Sequence, residues 1–193
     1  LIALLFVLIM MVYVTTAVSM FDPMTADALT AMFDMLPEGL IQAMGFADLS
    51  NELTQYLAGY LYGFIMIVFP MIYCILLGNR LIAKHVDTGS MAYILTTPTS
   101  RAQVAITQAV YMIISLLVVL AVPVAVTIIA GAAMFPGQLR VGAFLSLNVV
   151  TYLTMVSVGG ITFLGSSMFS ESRYSLAFGA GISVVFFMLR MIS

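Results

Sequence analysis

Long apolar runs and shorter polar interruptions alternate along the chain. Apolar residues dominate about 1–20, 53–77, 102–133, 141–168 and 174–192. Each run is close to or beyond the roughly 20 residues that carry a helix across a bilayer. The pattern predicts an all-α, polytopic transmembrane helical bundle with five spans, organised as one transmembrane domain over 1–193. Two polar stretches, 21–52 and 78–101, interrupt it. Phe135-Pro136-Gly137-Gln138 reads as a tight turn between the third and fourth spans, and Ser170-Glu171-Ser172-Arg173 as a short loop before the fifth. Pro70 and Pro123 fall inside spans, where a missing backbone donor kinks a helix and neighbouring helices offset the cost. Gly59 and Gly63 form a G-x-x-x-G pair, which allows close helix approach within the chain or between two copies.

Composition supports lipid as the main solvent. Only 7% of residues are charged and 63% are hydrophobic, whereas a soluble domain carries about 25% charge. The placement of charge then gives an orientation. Residues 21–52 hold Asp22, Asp27, Asp34, Glu38, Asp48 and Glu52, six of the eight acids, and none of the six bases. Cytoplasmic loops are enriched in Lys and Arg, so this stretch is expected outside. Arg80, Lys84, Arg101 and Arg173 then lie inside, Arg140 and Arg190 outside, and the N-terminus is cytoplasmic. Within the external stretch, Ala28, Leu29, Met32, Phe33 and Leu36 recur at helical spacing, and Pro37 can open a second helix that Gly45 ends. Two short amphipathic helices are expected there, serving either as a shield over the bundle or as a substrate gate. The chain begins and ends within or beside apolar runs, which reads as cut ends.

Little in the sequence suggests catalysis by this chain. The spans carry no charged residue near their centres, where ion-coupled carriers place their coupling groups. His85 is the only histidine, so neither a His-based metal cluster nor a His triad can form within the chain. There is no G-x-x-x-x-G-K-S/T phosphate loop. Cys74 is alone in an apolar run, and the sixteen methionines are spread through every span as flexible packing rather than gathered as soft metal ligands. Catalytic, cofactor-binding and metal-binding residues are therefore not expected, nor is a nucleic-acid partner.

The stretch 78–101 is the informative one. Thr88-Gly89-Ser90 can open a short helix and Thr97-Pro98 can close it. Such a helix carries Met91, Tyr93, Ile94 and Leu95 as an apolar patch at a polar face. The patch is either an interaction surface or lies against its own bundle. Ser100 and Gln103 stand in capping-box register at the start of the next span.

From Leu81 to Arg101 this stretch resembles the corresponding loop of ABC-2 type transporter permeases. Asp87, Gly89, Met91, Leu95, Thr97, Pro98, Ser100 and Arg101 match the pattern in place. Leu36-Pro37-Glu38-Gly39 and Met44-Gly45-Phe46 resemble the external loop of the same family. The resemblance implies a permease of six helices in the full chain, in the bacterial cytoplasmic membrane. It would work with a second permease copy or a homologue, and with two separate ABC ATPase subunits that hold ATP and Mg. The chain itself would not be an enzyme. The resemblance also implies export of a peptide, antibiotic or lipid-like substrate.

By position, the segment around Gly89–Leu95 would be the coupling helix. Asp87, Gly89, Met91, Tyr93, Ile94, Leu95 and Arg101 would be its ATPase-docking residues, with Met91, Tyr93, Ile94 and Leu95 as the apolar contact and Asp87 and Arg101 as flanking charged contacts. Lys84-His85 departs from the family's acidic residues. The sixth helix and the amphipathic elbow that precedes the first span in relatives have no counterpart here. An ATP-independent carrier or channel would instead need a polar path at mid-membrane. A scaffold or sensor subunit would need neither a path nor an ATPase.

The charge bias makes a direct prediction. In a Cys74→Ala background, Asp34→Cys should react with an impermeant thiol reagent in intact cells and Thr88→Cys should not. The reverse labelling would invert the topology.

Overall fold

The computed structural model describes residues 2–22, 53–62, 64–91 and 100–192. The described residues are almost entirely helical and contain no strand. In chain order the helices are α1 (Ile2–Ser19), α2 (Leu53–Tyr62), α3 (Ile65–Leu81), α4 (Ala83–Asp87), α5 (Arg101–Met134), α6 (Val141–Met168) and α7 (Ser172–Ile192). Among the described residues five helices are long and apolar enough to cross a membrane: Ile2–Ser19, Ile65–Asp87, Arg101–Met134, Val141–Met168 and Ser172–Leu189. The chain is therefore a multi-pass helical membrane protein. The two amphipathic helices expected in 21–52 fall, from residue 23 on, outside the described residues.

Two boundaries differ from the apolar pattern. Residues 53–77, read as one span, hold two helices among the described residues, α2 ending at Tyr62 and α3 starting at Ile65. Pro70, the stronger helix breaker by propensity, lies inside α3 without ending it. The polar stretch from 78 is not open loop at its start. Asn79, Leu81 and Ala83 are buried, and helix continues through α3 and α4 to Asp87. Hydropathy fades there before helix does, because packing on neighbouring helices sustains α4.

The chain divides into two compact units. In the first (Leu1–Phe6, Ile67–Leu120 and Val150–Ser193), α3, α6 and α7 meet through very small contacts. A Cβ added to Gly78 of α3 would stand 2.6 Å from Thr162 Oγ1 and 3.2 Å from the Thr162 carbonyl carbon. A Cβ added to Gly179 of α7 would stand 3.0 Å from Thr162 Cγ2. Thr162 of α6 thus fills the space that two missing side chains leave. Its hydroxyl donates to Gly159 O at 2.8 Å and lies 3.2 Å from Cys74 O of α3. Tyr73 and Ser115 share a hydrogen bond between α3 and α5, and Phe6 sets its ring edge-on to Tyr73. Cys74 is buried.

In the second unit (Val7–Met66 and Ala121–Val149), aromatic rings pack beside a close approach of Leu53 and Leu139 to Gly131. Tyr60 stacks nearly parallel to both Tyr13 and Tyr56, and Phe21 bridges Tyr56 and Phe135. Buried Tyr62 donates to Asn148 Oδ1, and Asn148 Nδ2 donates to Phe144 O at 2.8 Å. Gly137 sits at φ +84° in the expected turn after α5, where Gln138 N–H reaches Phe135 O at 3.2 Å. That is the glycine position of a Pro-Gly type II turn. Among the described residues Gly59 mediates no close approach, since a Cβ there would meet none of them within 4 Å. Gly63 lies outside the described residues.

The contrast between Gly78 and Gly59 can be tested. Overpacking typically costs about 1–3 kcal/mol. Gly78→Val should lower the melting temperature of the detergent-purified protein by several degrees more than Gly59→Val does. Equal effects would show that the approach of α3 to α6 is not tight.

Candidate functional site

The polar stretch begins as two helices in slightly different directions. α3 ends at Leu81, and Ile82 interrupts the helix with φ −129° and ψ −61°. α4 has only five residues, too few to be stable alone. Tertiary contacts hold it. Ala83 is fully buried, its N–H donates to Ser166 Oγ of α6 at 2.8 Å, and α4 lies against α7. One turn earlier, Asn79 Nδ2 donates to Ser172 Oγ of α7 at 2.7 Å. Both of these serines are more than 80 residues away in sequence. Asn79 Oδ1 and Ser175 Oγ, also buried, have no hydrogen-bond partner among the described residues.

α4 ends in a glycine cap. Thr88 N–H bonds to Lys84 O at 3.1 Å, and Gly89 N–H to Val86 O at 3.0 Å. Gly89 is at φ +72°, the left-handed conformation that costs an L-residue about 1–2 kcal/mol. Side chains then brace the turn. Thr88 Oγ1 donates to Lys84 O at 2.8 Å. The Ser90 hydroxyl lies 3.0 Å from both Thr88 Oγ1 and His85 Nδ1, and 3.2 Å from His85 O. His85 is therefore a brace of the turn. Lys84 and His85 occupy the last turn of α4, where positive charge suits the helix C-terminus. Ser90 and Met91 are helical again.

The far end of the stretch is fixed as well. Ser100 N–H donates to Gln103 Oε1 at 2.8 Å and Gln103 N–H to Ser100 Oγ at 3.2 Å, the reciprocal pair of a capping box. This starts α5 at Arg101.

The candidate docking residues fall in three places. Asp87 and Gly89 are exposed on the turn. Half-buried Met91 and exposed Arg101 line one cleft of about 450 Å³ together with Ile82, Val86, Val104, Ala105 and Ser167. Tyr93, Ile94 and Leu95 lie outside the described residues. Among the described residues no three His, Cys, Asp or Glu side chains come together in a way that could hold a metal. What the site offers is shape, apolar contact and charge.

Residues 79, 83, 85, 90 and 166 shape this region, yet sequence reading singles out none of them for it. Ser90 signals only a helix start, and His85 reads as a solvated loop residue. The Asn79 and Ser166 contacts exist only once α3, α6 and α7 are assembled.

Five apolar crossing helices, with a capped and braced turn between the helices of the second and third crossings, define a multi-pass helical membrane protein. The chain matches the family described as ABC-2 family transporter protein over residues 1–193, and it belongs to that family. Comparison with curated proteins and with solved structures gave no match.

The turn geometry carries its own prediction. Gly89→Ala should accelerate amide hydrogen exchange across Val86–Ser90 by roughly tenfold, the equivalent of the left-handed strain. Gly89→Asn should do so less. Unchanged exchange in both would mean that the positive φ is not imposed by the turn.

Proposed function

We propose that this chain is the permease subunit of an ATP-driven ABC-2 transporter in the bacterial cytoplasmic membrane, with its N-terminus in the cytoplasm. In this reading the segment after Gly89 docks on an ABC ATPase. Met91, Tyr93, Ile94 and Leu95 supply the apolar contact, and Asp87 and Arg101 the flanking charge. ATP and Mg bind on the partner, two ATPases serve each transporter, and the second permease is another copy or a homologue. The absence of charge at mid-span suits export of an amphiphilic cargo such as a peptide, an antibiotic or a lipid-like molecule.

One observation supports the coupling role above the rest. The loop is tied to the membrane helices by two internal hydrogen bonds, Ala83 N–H to Ser166 and Asn79 to Ser172. A push on α4 is therefore passed to α6 and α7 rather than absorbed by slack chain. The energetics follow from differential affinity. An ATPase pair that closes on ATP favours whichever loop position it binds more tightly, and the helices fixed to the loop follow.

The docking assignment has a direct test. Replacing Tyr93→Asp and Leu95→Asp together should abolish co-purification of the ATPase while membrane insertion and yield stay as in wild type. Undiminished co-purification would remove the segment from the interface.

A further inference from the structure

The cleft beside the turn has a composition of its own. Its described lining is aliphatic apart from Arg101 and Ser167, and Ser167 already donates its hydroxyl proton to Leu164 O. Arg101 has no ion-pair or hydrogen-bond partner among the described residues. The nearby loop cation Arg173 differs, because Glu171 holds it at 2.6 Å. The cleft also lies at a defined depth. Arg101 is the first residue of crossing helix α5, and Ser167 is one residue from the end of crossing helix α6. Both residues therefore stand at ends of crossing helices, on the side where the chain leaves the apolar spans. About 450 Å³ falls within the roughly 300–1,000 Å³ of small-molecule sites.

We propose that this cleft binds one anionic phospholipid, its phosphate on the Arg101 guanidinium and the start of its acyl region along Ile82, Val86 and Val104. Each half of the cleft excludes a simpler ligand. A small soluble anion would satisfy Arg101 and leave the aliphatic wall wet. A neutral apolar ligand would cover the wall and leave a guanidinium without a counter-charge. Basic pockets between membrane helices at the headgroup level suit lipids with phosphate heads, and the anionic lipids of the cytoplasmic leaflet supply them. Arg80 and Lys84, exposed and also without partners among the described residues, add positive potential on the same stretch of chain.

A lipid seated here would touch Met91 and Arg101 at once and so join the two ends of the loop. The site shares Met91 and Arg101 with the proposed docking surface and rests on the proposed orientation, but its test needs no ATPase.

The test is native mass spectrometry of the full chain in mild detergent, without the ATPase, titrated with phosphatidylglycerol and separately with phosphatidylcholine. Wild type should hold one phosphatidylglycerol in clear preference to phosphatidylcholine. Arg101→Gln should weaken phosphatidylglycerol binding roughly fivefold and leave phosphatidylcholine unchanged. Ala105→Phe, which fills the cleft and keeps the charge, should also lose the bound lipid. Arg140→Gln, an equal loss of charge elsewhere, should not. Equal binding of the two lipids, or wild-type binding by both cleft variants, would overturn the site. Displacement of the lipid by millimolar glycerol phosphate would also overturn it, in favour of a soluble-anion site. ATPase co-purification reads the docking proposal separately, so either can fail alone.

Discussion

Helices in a bilayer cannot gain much by hiding apolar surface from lipid, which is as apolar as they are. They hold together through closeness and through internal hydrogen bonds, and Thr162 supplies both. It occupies the gap left by Gly78 on one side and Gly179 on the other, and its hydroxyl is shared between its own helix and the carbonyl of Cys74. Three helices are thereby registered against a single side chain. The rest of the first unit follows from that register. With α3 held at Gly78, Asn79 meets Ser172 one residue later, and Ala83 arrives at Ser166. A five-residue helix with no stability of its own then becomes a fixed support for the turn.

The two units solve the same problem with different residues. Where α3, α6 and α7 meet, glycine lets backbones approach. In the second unit, bulky rings fill the space and a buried Tyr62–Asn148 pair satisfies the polar groups. Many of the remaining hydroxyls bond back to their own helix, as Thr15 does to Met11 O and Ser146 to Gly142 O. In lipid this is the simplest way to satisfy a hydroxyl, because no water competes for it.

Much of this was legible in sequence, and the division is physical. Features written in neighbouring residues could be read directly. The apolar runs gave the five crossing helices, Pro136-Gly137 gave the turn after α5, and Ser100 with Gln103 gave the capping box. Features that depend on which helices become neighbours could not. Nothing near Asn79 points to Ser172, and nothing distinguishes Gly78, which is packed against threonine, from Gly59, which faces open space. The extent of α4 was hidden for the same reason. A polar run reads as loop until the partners that bury Ala83 and Asn79 are known.

The turn at Gly89 separates two kinds of information. Its shape is held by bonds that begin and end within Lys84–Ser90: threonine to lysine carbonyl, serine to histidine, and a glycine cap. None of these bonds uses a side chain from the segment that follows. The shape of the turn is thus written within Lys84–Ser90. Substitution beyond Ser90 can therefore proceed while the turn keeps its shape.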